Sequence, residues 1–350
     1  MKICLTGGGT GGSVTPLIAL YQEIKQRDDS ARFLFIGGKD GVEEQIVKQY
    51  RIPFKTIDAG KLRRYFTLKN FTDVIHTTQG HFQARQILKK FKPDLILSAG
   101  SYVAVPVTLA GKELRIKSFI HQQDYQRGLA NRLMSPLASK VTVTFRKSLR
   151  DFSKDKTVLT GNPVRKEIFQ GDRHTAIKKF RLDGFRRTLL LIGGGTGAVA
   201  LNKILAGSLD KITEHCQIIH VCGAGKKINV KNKDYHPFEF LGNDLADAYR
   251  IADLVVSRAG MSVLSELSAL GKPTVIIPYP KSHQEENAKM FEDAALVYRQ
   301  EGMNSQKLLA VVKEMIRNED KLGFLAKTIK EVLPRKAAVK ITDLIWEELV

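Results

Sequence analysis

The feature that most constrains the fold of this chain is a glycine-rich segment that occurs once in each half. Residues 5–12 read Leu-Thr-Gly-Gly-Gly-Thr-Gly-Gly, and residues 191–198 read Leu-Ile-Gly-Gly-Gly-Thr-Gly-Ala. Each copy follows a stretch that predicts a strand and precedes one that predicts a helix. Glycines permit a tight turn there, and N–H groups at the start of a helix can bind phosphate or sugar hydroxyls. A tight turn alone explains either loop equally well, but the repeat predicts two Rossmann-like halves in tandem.

Apolar strands alternate with amphipathic helices along the chain, which is typical of parallel α/β proteins. Because 350 residues are too many for one ordinary core, we predict two domains. We place the boundary at the turn-forming Gly161-Asn162-Pro163, which gives domains at 1–163 and 164–336. We expect a last helix, at about 337–350, to pack on the first domain. Strands are predicted at 2–6, 32–36, 54–57, 94–98, 117–120, 140–144, 188–192, 217–221, 238–241, 254–257 and 274–277, and helices at 16–26, 42–49 and 83–91, among others.

The net charge of +20 is unevenly distributed and limits the partners to consider. Residues 1–163 carry 27 Lys and Arg against 13 Asp and Glu, which suggests nucleic acid, an anionic membrane surface or phosphorylated substrates. A solvated surface in a basic proteome is the alternative, and charge alone does not choose among these. No aromatic stacking platform or known motif accompanies the charge, so we expect no nucleic-acid partner. No apolar run approaches the roughly 20 residues of a membrane span, and the N-terminal apolar stretch is too short for a signal peptide. We therefore expect a cytoplasmic protein, and its three cysteines lack the spacing of a zinc site.

The first glycine loop fits the dinucleotide fingerprint, but the segment after the second strand does not. A nicotinamide-binding domain needs an acidic residue at the end of that strand to hold the ribose. Here the strand runs into Gly37-Gly38-Lys39, and Asp40 comes too late. The sequence therefore disfavours a dinucleotide oxidoreductase. Two domains with glycine loops better suit a cleft that binds two substrates, one on each domain.

A second group of polar residues follows two consecutive strands of the second half. The turn after Ser257 leads into a helix that carries Glu266, whose carboxylate can accept both hydroxyls of a ribose while the helix N-terminus faces a diphosphate. The polar cluster at 283–288 follows the next strand, and the amide of Gln284 can read sugar hydroxyls. A surface carboxylate and an ordinary helix cap are the alternatives. Binding is favoured because both segments lie at the same edge of the sheet.

Taken together, these motifs resemble the N-acetylglucosaminyltransferases of peptidoglycan synthesis, the MurG family, nearly end to end. The resemblance implies a GT-B fold, α/β with two Rossmann-like domains facing across a cleft. It also implies inverting transfer of GlcNAc from UDP-GlcNAc to lipid I, undecaprenyl-pyrophosphoryl-MurNAc-pentapeptide, to form lipid II, with no metal or other cofactor. The matching segments are 8–12 with Pro16, 100–103 with Pro106, 121–124, 161–165, 193–194, 197–198, 257–260 with Ser265 and Glu266, and Gln284 with Asn287 and Ala288.

The resemblance also implies roles for individual residues. Arg165 and the loop at Gly195 and Thr196 approach the diphosphate, Leu241 borders the uracil, and Asp124 contacts the GlcNAc. Further substrate-binding residues are Thr10, Gly11, Gly12 and Ser13 near the donor sugar, Tyr102, the phosphate- and ribose-binding Met261, Ser262, Val263, Leu264, Ser265 and Glu266, and the sugar-reading Gln284 with Asn287.

The chain departs from the family pattern at positions that bear on catalysis. Ser13 stands where the family has His, and a hydroxyl cannot replace an imidazole as general base. The family's His-Glu-Gln-Asn is His-Gln-Gln-Asp at 121–124, and Gly195 stands where Ser is usual. We expect Asp124 to be the base, with His121 as the rival. The alternative, in which Asp124 only hydrogen-bonds the donor sugar, stays open.

The stretch 61–71, KLRRYFTLKNF, interleaves basic and aromatic residues, as expected of a segment at an anionic inner-membrane surface. A solvated loop followed by an inward-facing helix is the alternative. We therefore expect a cytoplasmic protein that is peripheral on the inner face of the cell membrane. Two further readings stay open: a related UDP-sugar transferase with another lipid acceptor, and a catalytically weak UDP-sugar-binding homologue.

Overall fold

The chain divides into two compact units, each built on one parallel β-sheet. The computed structural model describes residues 1–39, 41–60, 69–193 and 198–349. Unit 1 comprises Met1–Arg165 and Pro334–Val350, and unit 2 comprises Lys166–Leu333. The predicted fold class, α/β with two Rossmann-like domains, is confirmed.

Unit 1 contains a seven-stranded sheet in which every neighbouring pair of strands is parallel, in the order β3-β2-β1-β4-β5-β6-β7. Its strands are β1 Lys2–Thr6, β2 Arg32–Gly38, β3 Phe54–Ile57, β4 Leu95–Ser98, β5 Lys117–Gln122, β6 Lys140–Val143 and β7 Thr157–Leu159. The helices between them are α1 Thr15–Arg27, α2 Val42–Gln49, α3 Lys69–Phe91, α4 Ala104–Glu113 and α5 Leu129–Met134.

Unit 2 repeats this plan with six parallel strands in the order β10-β9-β8-β11-β12-β13. Its strands are β8 Thr188–Ile192, β9 Gln217–Val221, β10 Tyr235–Phe238, β11 Leu254–Ser257, β12 Thr274–Ile276 and β13 Leu296–Val297. Its helices are α6 Arg173–Phe180, α7 Val199–Ala206, α8 Leu209–Thr213, α9 Leu245–Ile251, α10 Met261–Leu270, α11 His283–Lys289, α12 Ser305–Arg317 and α13 Glu319–Thr328. The last helix, α14 Ala337–Leu349, belongs to unit 1.

Apolar side chains cover both faces of each sheet, as the continuous apolar runs of parallel strands require. One face of the unit 1 sheet packs Ile3 and Leu5 against α1 and α14, where Ile341 and Ile345 are buried. The other face carries Cys4 in a separate apolar cluster with residues of α3 and α4. The first glycine loop follows the carboxyl end of β1.

The structure corrects three details of the predicted strands. The strand predicted at 238–241 is wrong, because β10 covers Tyr235–Phe238 and Leu241 instead precedes the 3-10 helix Gly242–Asp244. β10 lies at the edge of its sheet, where Pro237 is tolerated because only one neighbour needs hydrogen bonds. The short strands β7 and β13 were not predicted; both are edge strands with half-buried residues and weak apolar patterns.

Among the described residues, no helix is both long and apolar enough to cross a bilayer. In that same part of the chain, no group of three or more His, Cys, Asp or Glu side chains is arranged to hold a metal ion.

Candidate functional site

The first glycine loop leaves β1 and turns into the 3-10 helix Gly11–Ser13 before α1 begins. Gly9 adopts the left-handed conformation, with φ of 77°, and a Cβ there would lie 2.9 Å from the ring of Tyr102. Only glycine fits both conditions. Gly9 and Thr10 are exposed, Gly11 and Gly12 are half-buried, and this part of the predicted substrate-binding surface is therefore accessible.

The hydroxyl of Ser13 closes this loop from within. It is 8% exposed, accepts a hydrogen bond from the Gly8 N–H at 3.1 Å, and lies 3.0 and 3.2 Å from the carbonyl oxygens of Gly8 and Thr10. These contacts commit the hydroxyl to backbone groups. Ser13, predicted as a substrate-binding residue, therefore has a position under the loop rather than at its accessible face.

A buried carboxylate that sequence reasoning missed also contacts the loop. Glu43 lies in the first turn of α2 and is 1% exposed. Its Oε2 accepts a hydrogen bond from the Gly9 N–H at 3.1 Å, and its Oε1 accepts one from the Gly38 N–H at 2.9 Å. The carboxylate thus joins the ends of β1 and β2. The sequence signal for this buried side chain is three nearby glycines, at 37, 38 and 41, whose lack of a Cβ leaves space for Glu43.

At the end of β5, the two predicted candidates for the base have different surroundings. His121 is 3% exposed, and its ring nitrogens lie 2.9 Å from Thr142 Oγ1 and 2.8 Å from Asn162 Oδ1. Burial lowers the pKa of His121 to about 4, so the imidazole is neutral near pH 7. Asp124, three residues later, is half-buried and lies beyond the end of the strand. The structure therefore gives Asp124 the more accessible position.

The segment that carries Asp124 is held by buried amides. Gln122 Nε2 donates hydrogen bonds to the carbonyl oxygens of Asp124 at 2.7 Å and Gln126 at 2.9 Å, and Asn131 Nδ2 donates one to Gln122 Oε1 at 2.8 Å. Gln123 Nε2 reaches the Ala99 carbonyl at 3.0 Å. Gln122, which stands where the family has Glu, therefore acts as a donor that shapes the loop. A carboxylate could not make these two bonds.

In unit 2, the first turn of α10 carries the residues that are predicted to bind phosphate. The cap residue Gly260 has an extended conformation, its helix has no side-chain cap, and the first turn contains no acidic residue. Ser262 and Val263 are half-buried, whereas Met261, Leu264 and Ser265 are buried. Such a terminus attracts an anion through its N–H groups and its dipole. The described part of this predicted phosphate site is therefore suited to a phosphate.

The carboxylate of Glu266 lies in the second turn of the same helix and is 4% exposed. The hydroxyl of Tyr249, which is fully buried on α9, donates a hydrogen bond to Glu266 Oε2 at 3.0 Å. This bond fixes the orientation of the carboxylate that is predicted to bind the ribose. Tyr249 is a second residue that sequence reasoning missed, because α9 and α10 come together only in the fold.

The predicted sugar-reading residues on α11 contact the turn before α10. Gln284 Oε1 accepts hydrogen bonds from the N–H groups of Ala259 at 3.2 Å and Tyr279 at 3.1 Å, and Asn287 Nδ2 donates one to the Ala259 carbonyl at 3.2 Å. With its oxygen held by two donors, Gln284 can offer a ligand only its NH2 group. The buried guanidinium of Arg258 braces the same turn by donating to the carbonyl oxygens of Ile277 and Pro278.

Within each unit, the structure brings some of the predicted residues together. Unit 1 gathers the first glycine loop and Tyr102, which is half-buried beside Gly9. Unit 2 gathers the residues of α10 and α11 at the carboxyl ends of β11 and β12. Leu241 is 7% exposed and Arg165 is half-buried, and their predicted contacts with uracil and diphosphate stay predictions. Gly195, Thr196 and residues 61–68 lie outside the described residues, as does Asp40.

Comparison with known families gives two matches that together extend over most of the chain. Residues 3–143 match the glycosyltransferase family 28 N-terminal domain, and residues 188–342 match the glycosyltransferase family 28 C-terminal domain.

Individual relatives align over nearly the whole length. A protein of Lachnoclostridium phytofermentans, named UDP-N-acetylglucosamine–N-acetylmuramyl-(pentapeptide) pyrophosphoryl-undecaprenol N-acetylglucosamine transferase, is 38% identical over 99% of this chain and 98% of its own. A Clostridium botulinum protein of the same name is 39% identical over 91% of this chain and 92% of its own. The crystal structure of Acinetobacter baumannii MurG superposes with a TM-score of 0.72 at 25% identity and covers 99% of both chains.

Proposed function

Because this chain belongs to glycosyltransferase family 28 and, within it, to the MurG family of N-acetylglucosaminyltransferases, we propose that it transfers GlcNAc from UDP-GlcNAc to lipid I and so forms lipid II in peptidoglycan synthesis. It is a hexosyltransferase that acts on UDP-GlcNAc and lipid I. The observation that carries the proposal is the N-terminus of α10, which has no side-chain cap and is followed one turn later by Glu266, in a chain that aligns with these enzymes over 99% of its length.

The residues of unit 2 support binding of the UDP part of the donor. The N–H groups at the start of α10 stabilise a diphosphate and, during transfer, the negative charge that develops on the departing UDP. Glu266 accepts hydrogen bonds from the ribose, and the NH2 group of Gln284 donates to a sugar oxygen. No step in this scheme assigns a role to a metal ion.

For the acceptor hydroxyl, we propose Asp124 as the general base. The competing candidate, His121, has both ring nitrogens in hydrogen bonds and is almost fully buried, so its ring cannot take a proton from a substrate in this arrangement. Asp124 is the accessible member of the pair, and the bonds from Gln122 hold its backbone in place. His121 instead connects β5 to Thr142 and Asn162.

The test is a transfer assay with radiolabelled UDP-GlcNAc and lipid I, applied to the wild type and to Asp124→Asn. Asparagine keeps hydrogen-bonding capacity but cannot take a proton. If Asp124 is the base, kcat should fall by about 100-fold or more. Asp151→Asn, a charge change elsewhere in unit 1, is the matched control and should leave kcat unchanged. Near-normal turnover of Asp124→Asn would show that this side chain only hydrogen-bonds the sugar, and absence of transfer by the wild type would refute the proposed function itself.

We also propose that the protein is cytoplasmic and binds the inner face of the cell membrane through the exposed side of α3. Ile75 and Phe82 lie two turns apart on this helix and are 57% and 60% exposed. The exposed Lys89 and Lys90 follow near its end, and anionic lipid attracts each basic group by about 1 kcal/mol. The basic and aromatic stretch 61–71 directly precedes this surface and overlaps the start of α3.

Vesicle flotation tests this surface. The wild type should float with anionic vesicles and lose binding as salt rises, since exposed charges are screened. The double variant Ile75→Ser, Phe82→Ser should bind more weakly. Phe324→Ser is the matched control, because Phe324 is equally exposed, at 60%, but lies on unit 2. Equal flotation of the double variant and this control would place the membrane contact elsewhere.

A further inference from the structure

Among the described residues, Glu43 carries a deeply buried carboxylate that the proposed mechanism does not use. It lies at the start of α2, after the cap residue Gly41, where the dipole of the helix favours a negative charge. Its two oxygens accept hydrogen bonds from backbone N–H groups, at 3.1 Å from Gly9 and 2.9 Å from Gly38. At 1% exposure, the carboxylate is held by these groups rather than by water.

The backbone around this carboxylate is shaped to admit it. A Cβ at Gly8 or at Gly41 would lie 2.2 Å from a Glu43 oxygen, which is closer than any side chain can approach. Gly9, which donates one of the two hydrogen bonds, itself has a left-handed φ of 77°, a conformation that favours glycine. Substitution at any of these three glycines would therefore disturb the contact as well as the turn.

The hydrogen bond from the Gly9 N–H to Glu43 occupies a donor that a glycine loop can offer to a ligand. The N–H groups of a glycine loop after the first strand of a Rossmann-like domain commonly bind the phosphates of a nucleotide. In unit 1 the Gly9 N–H is instead bonded to an anion that the protein itself supplies. The loop therefore has its turn fixed before any substrate binds.

We propose that Glu43 is a positioning residue for glycosyl transfer: its carboxylate acts as an internal anion that holds the Gly9 turn and thereby places Thr10, Gly11 and Gly12 against the sugar. This inference rests on the proposed function, since it concerns the same reaction. Glu43 touches no substrate. It acts through the loop, and its effect should fall on turnover rather than on binding of UDP, which is a property of unit 2.

The experiment compares Glu43→Gln with Glu44→Gln in the full chain. Glutamine is nearly isosteric, but its NH2 group meets one of the two N–H donors, so one hydrogen bond is lost. Glu44→Gln makes the same charge change one residue along α2, at a surface pair with Lys48 that contributes little to stability. We expect Glu43→Gln to lower kcat by about 10- to 100-fold, the range for a misplaced catalytic loop. Calorimetry should give a UDP affinity within about twofold of the wild type.

Hydrogen exchange gives a readout that does not depend on activity. The amides of Gly9 and Gly38 should exchange faster in Glu43→Gln than in the wild type or in Glu44→Gln. If Glu43→Gln does not fold, Glu43→Asp serves instead, because its shorter side chain keeps the charge but cannot span both N–H groups, and it should also lose turnover.

The outcomes separate the two proposals. Loss of kcat with retained UDP affinity and faster exchange supports the role of Glu43. A kcat for Glu43→Gln or Glu43→Asp equal to that of Glu44→Gln overturns it, as does an equal loss of UDP affinity and turnover, which is the pattern of general destabilisation. A wild type that transfers no GlcNAc overturns the proposed function, and the exchange rates of the Gly9 and Gly38 amides then still decide whether Glu43 holds the loop.

Discussion

The pairing of Tyr249 with Glu266 allows a quantitative test of how unit 2 recognises a ribose. Both side chains are buried, and the hydroxyl lies 3.0 Å from the carboxylate oxygen. Glu266→Gln removes the charge from the carboxylate, whereas Tyr249→Phe removes only the group that orients it. If the carboxylate binds the ribose hydroxyls, the two changes should weaken UDP binding to different extents.

The expected magnitude follows from the kind of hydrogen bond. A hydrogen bond to a charged group contributes about 1.5–3 kcal/mol, so Glu266→Gln should raise the Kd for UDP by about 10- to 150-fold. Tyr249→Phe keeps the carboxylate and should raise Kd by less, about tenfold at most. Because the lost bond is buried, Tyr249→Phe should also lower the free energy of unfolding by about 1–3 kcal/mol.

The assay is calorimetry with UDP and with 2′-deoxy-UDP, in which one ribose hydroxyl is absent. The deoxy ligand has already lost part of its contact with the carboxylate, so Glu266→Gln should weaken its binding by a smaller factor than it weakens that of UDP. Tyr21→Phe, a hydroxyl removal in unit 1, is the control and should leave both affinities unchanged. If Glu266→Gln weakens both ligands by the same factor, Glu266 does not recognise the ribose and the reasoning fails.

Three further predictions concern the first glycine loop and two buried histidines. Ser13→Ala leaves the Gly8 N–H without its acceptor, so the free energy of unfolding of unit 1 should fall by about 1–3 kcal/mol in urea titrations, and an unchanged midpoint would mean that this N–H finds another partner. Gly9→Ala forces a side chain into a left-handed turn against Tyr102, so kcat should fall while calorimetry shows unchanged UDP affinity, and full turnover would show that the turn can move. Burial lowers the pKa of His121 and His220 from 6.5 to about 4, so the folded protein binds these protons more weakly than the unfolded chain. Each histidine therefore contributes stability that is complete above pH 6.5 and is lost as the pH falls toward 4, by up to about 3 kcal/mol. In urea titrations, His121→Gln should lose less stability between pH 7 and pH 4 than the wild type. Equal losses would contradict a lowered pKa for His121.

The fold was predictable because its signals are local and repeated. A window of about twelve residues is enough to recognise the buried run of β1 or β8 and the glycine loop that follows it. Because this pattern occurs twice, it indicates two similar sheets. The edge strands were harder, since β7 and β13 carry half-buried residues and no clear period. The misplaced strand near Leu241 shows the same limit, because an apolar residue near a turn can be buried without being part of a strand.

The positions in the candidate site were easier to predict than the contacts of their side chains. The motifs located Gln284 and Asn287, but only the fold shows that both bond the turn at Ala259. Glu43 was missed because its partners are 34 and 5 residues away along the chain and belong to two different strand ends. A helical Glu next to Glu44 carries no sign of burial, and only the surrounding glycines indicate it.

The departure at Ser13 bears on which group removes the acceptor proton. The buried Ser13 hydroxyl accepts a hydrogen bond from the Gly8 N–H and donates to one of two nearby backbone carbonyl oxygens. The His121 ring bonds two side chains, so both groups are committed to structure. Gln122, an amide, has no basic atom at all. Of the polar residues that the sequence pointed to around the first glycine loop and β5, Asp124 is therefore the one that combines a carboxylate with partial exposure. On this reasoning, the carboxylate gained at position 124 takes over the role of the imidazole lost at position 13. Unchanged turnover of Asp124→Asn would refute that link between the two positions.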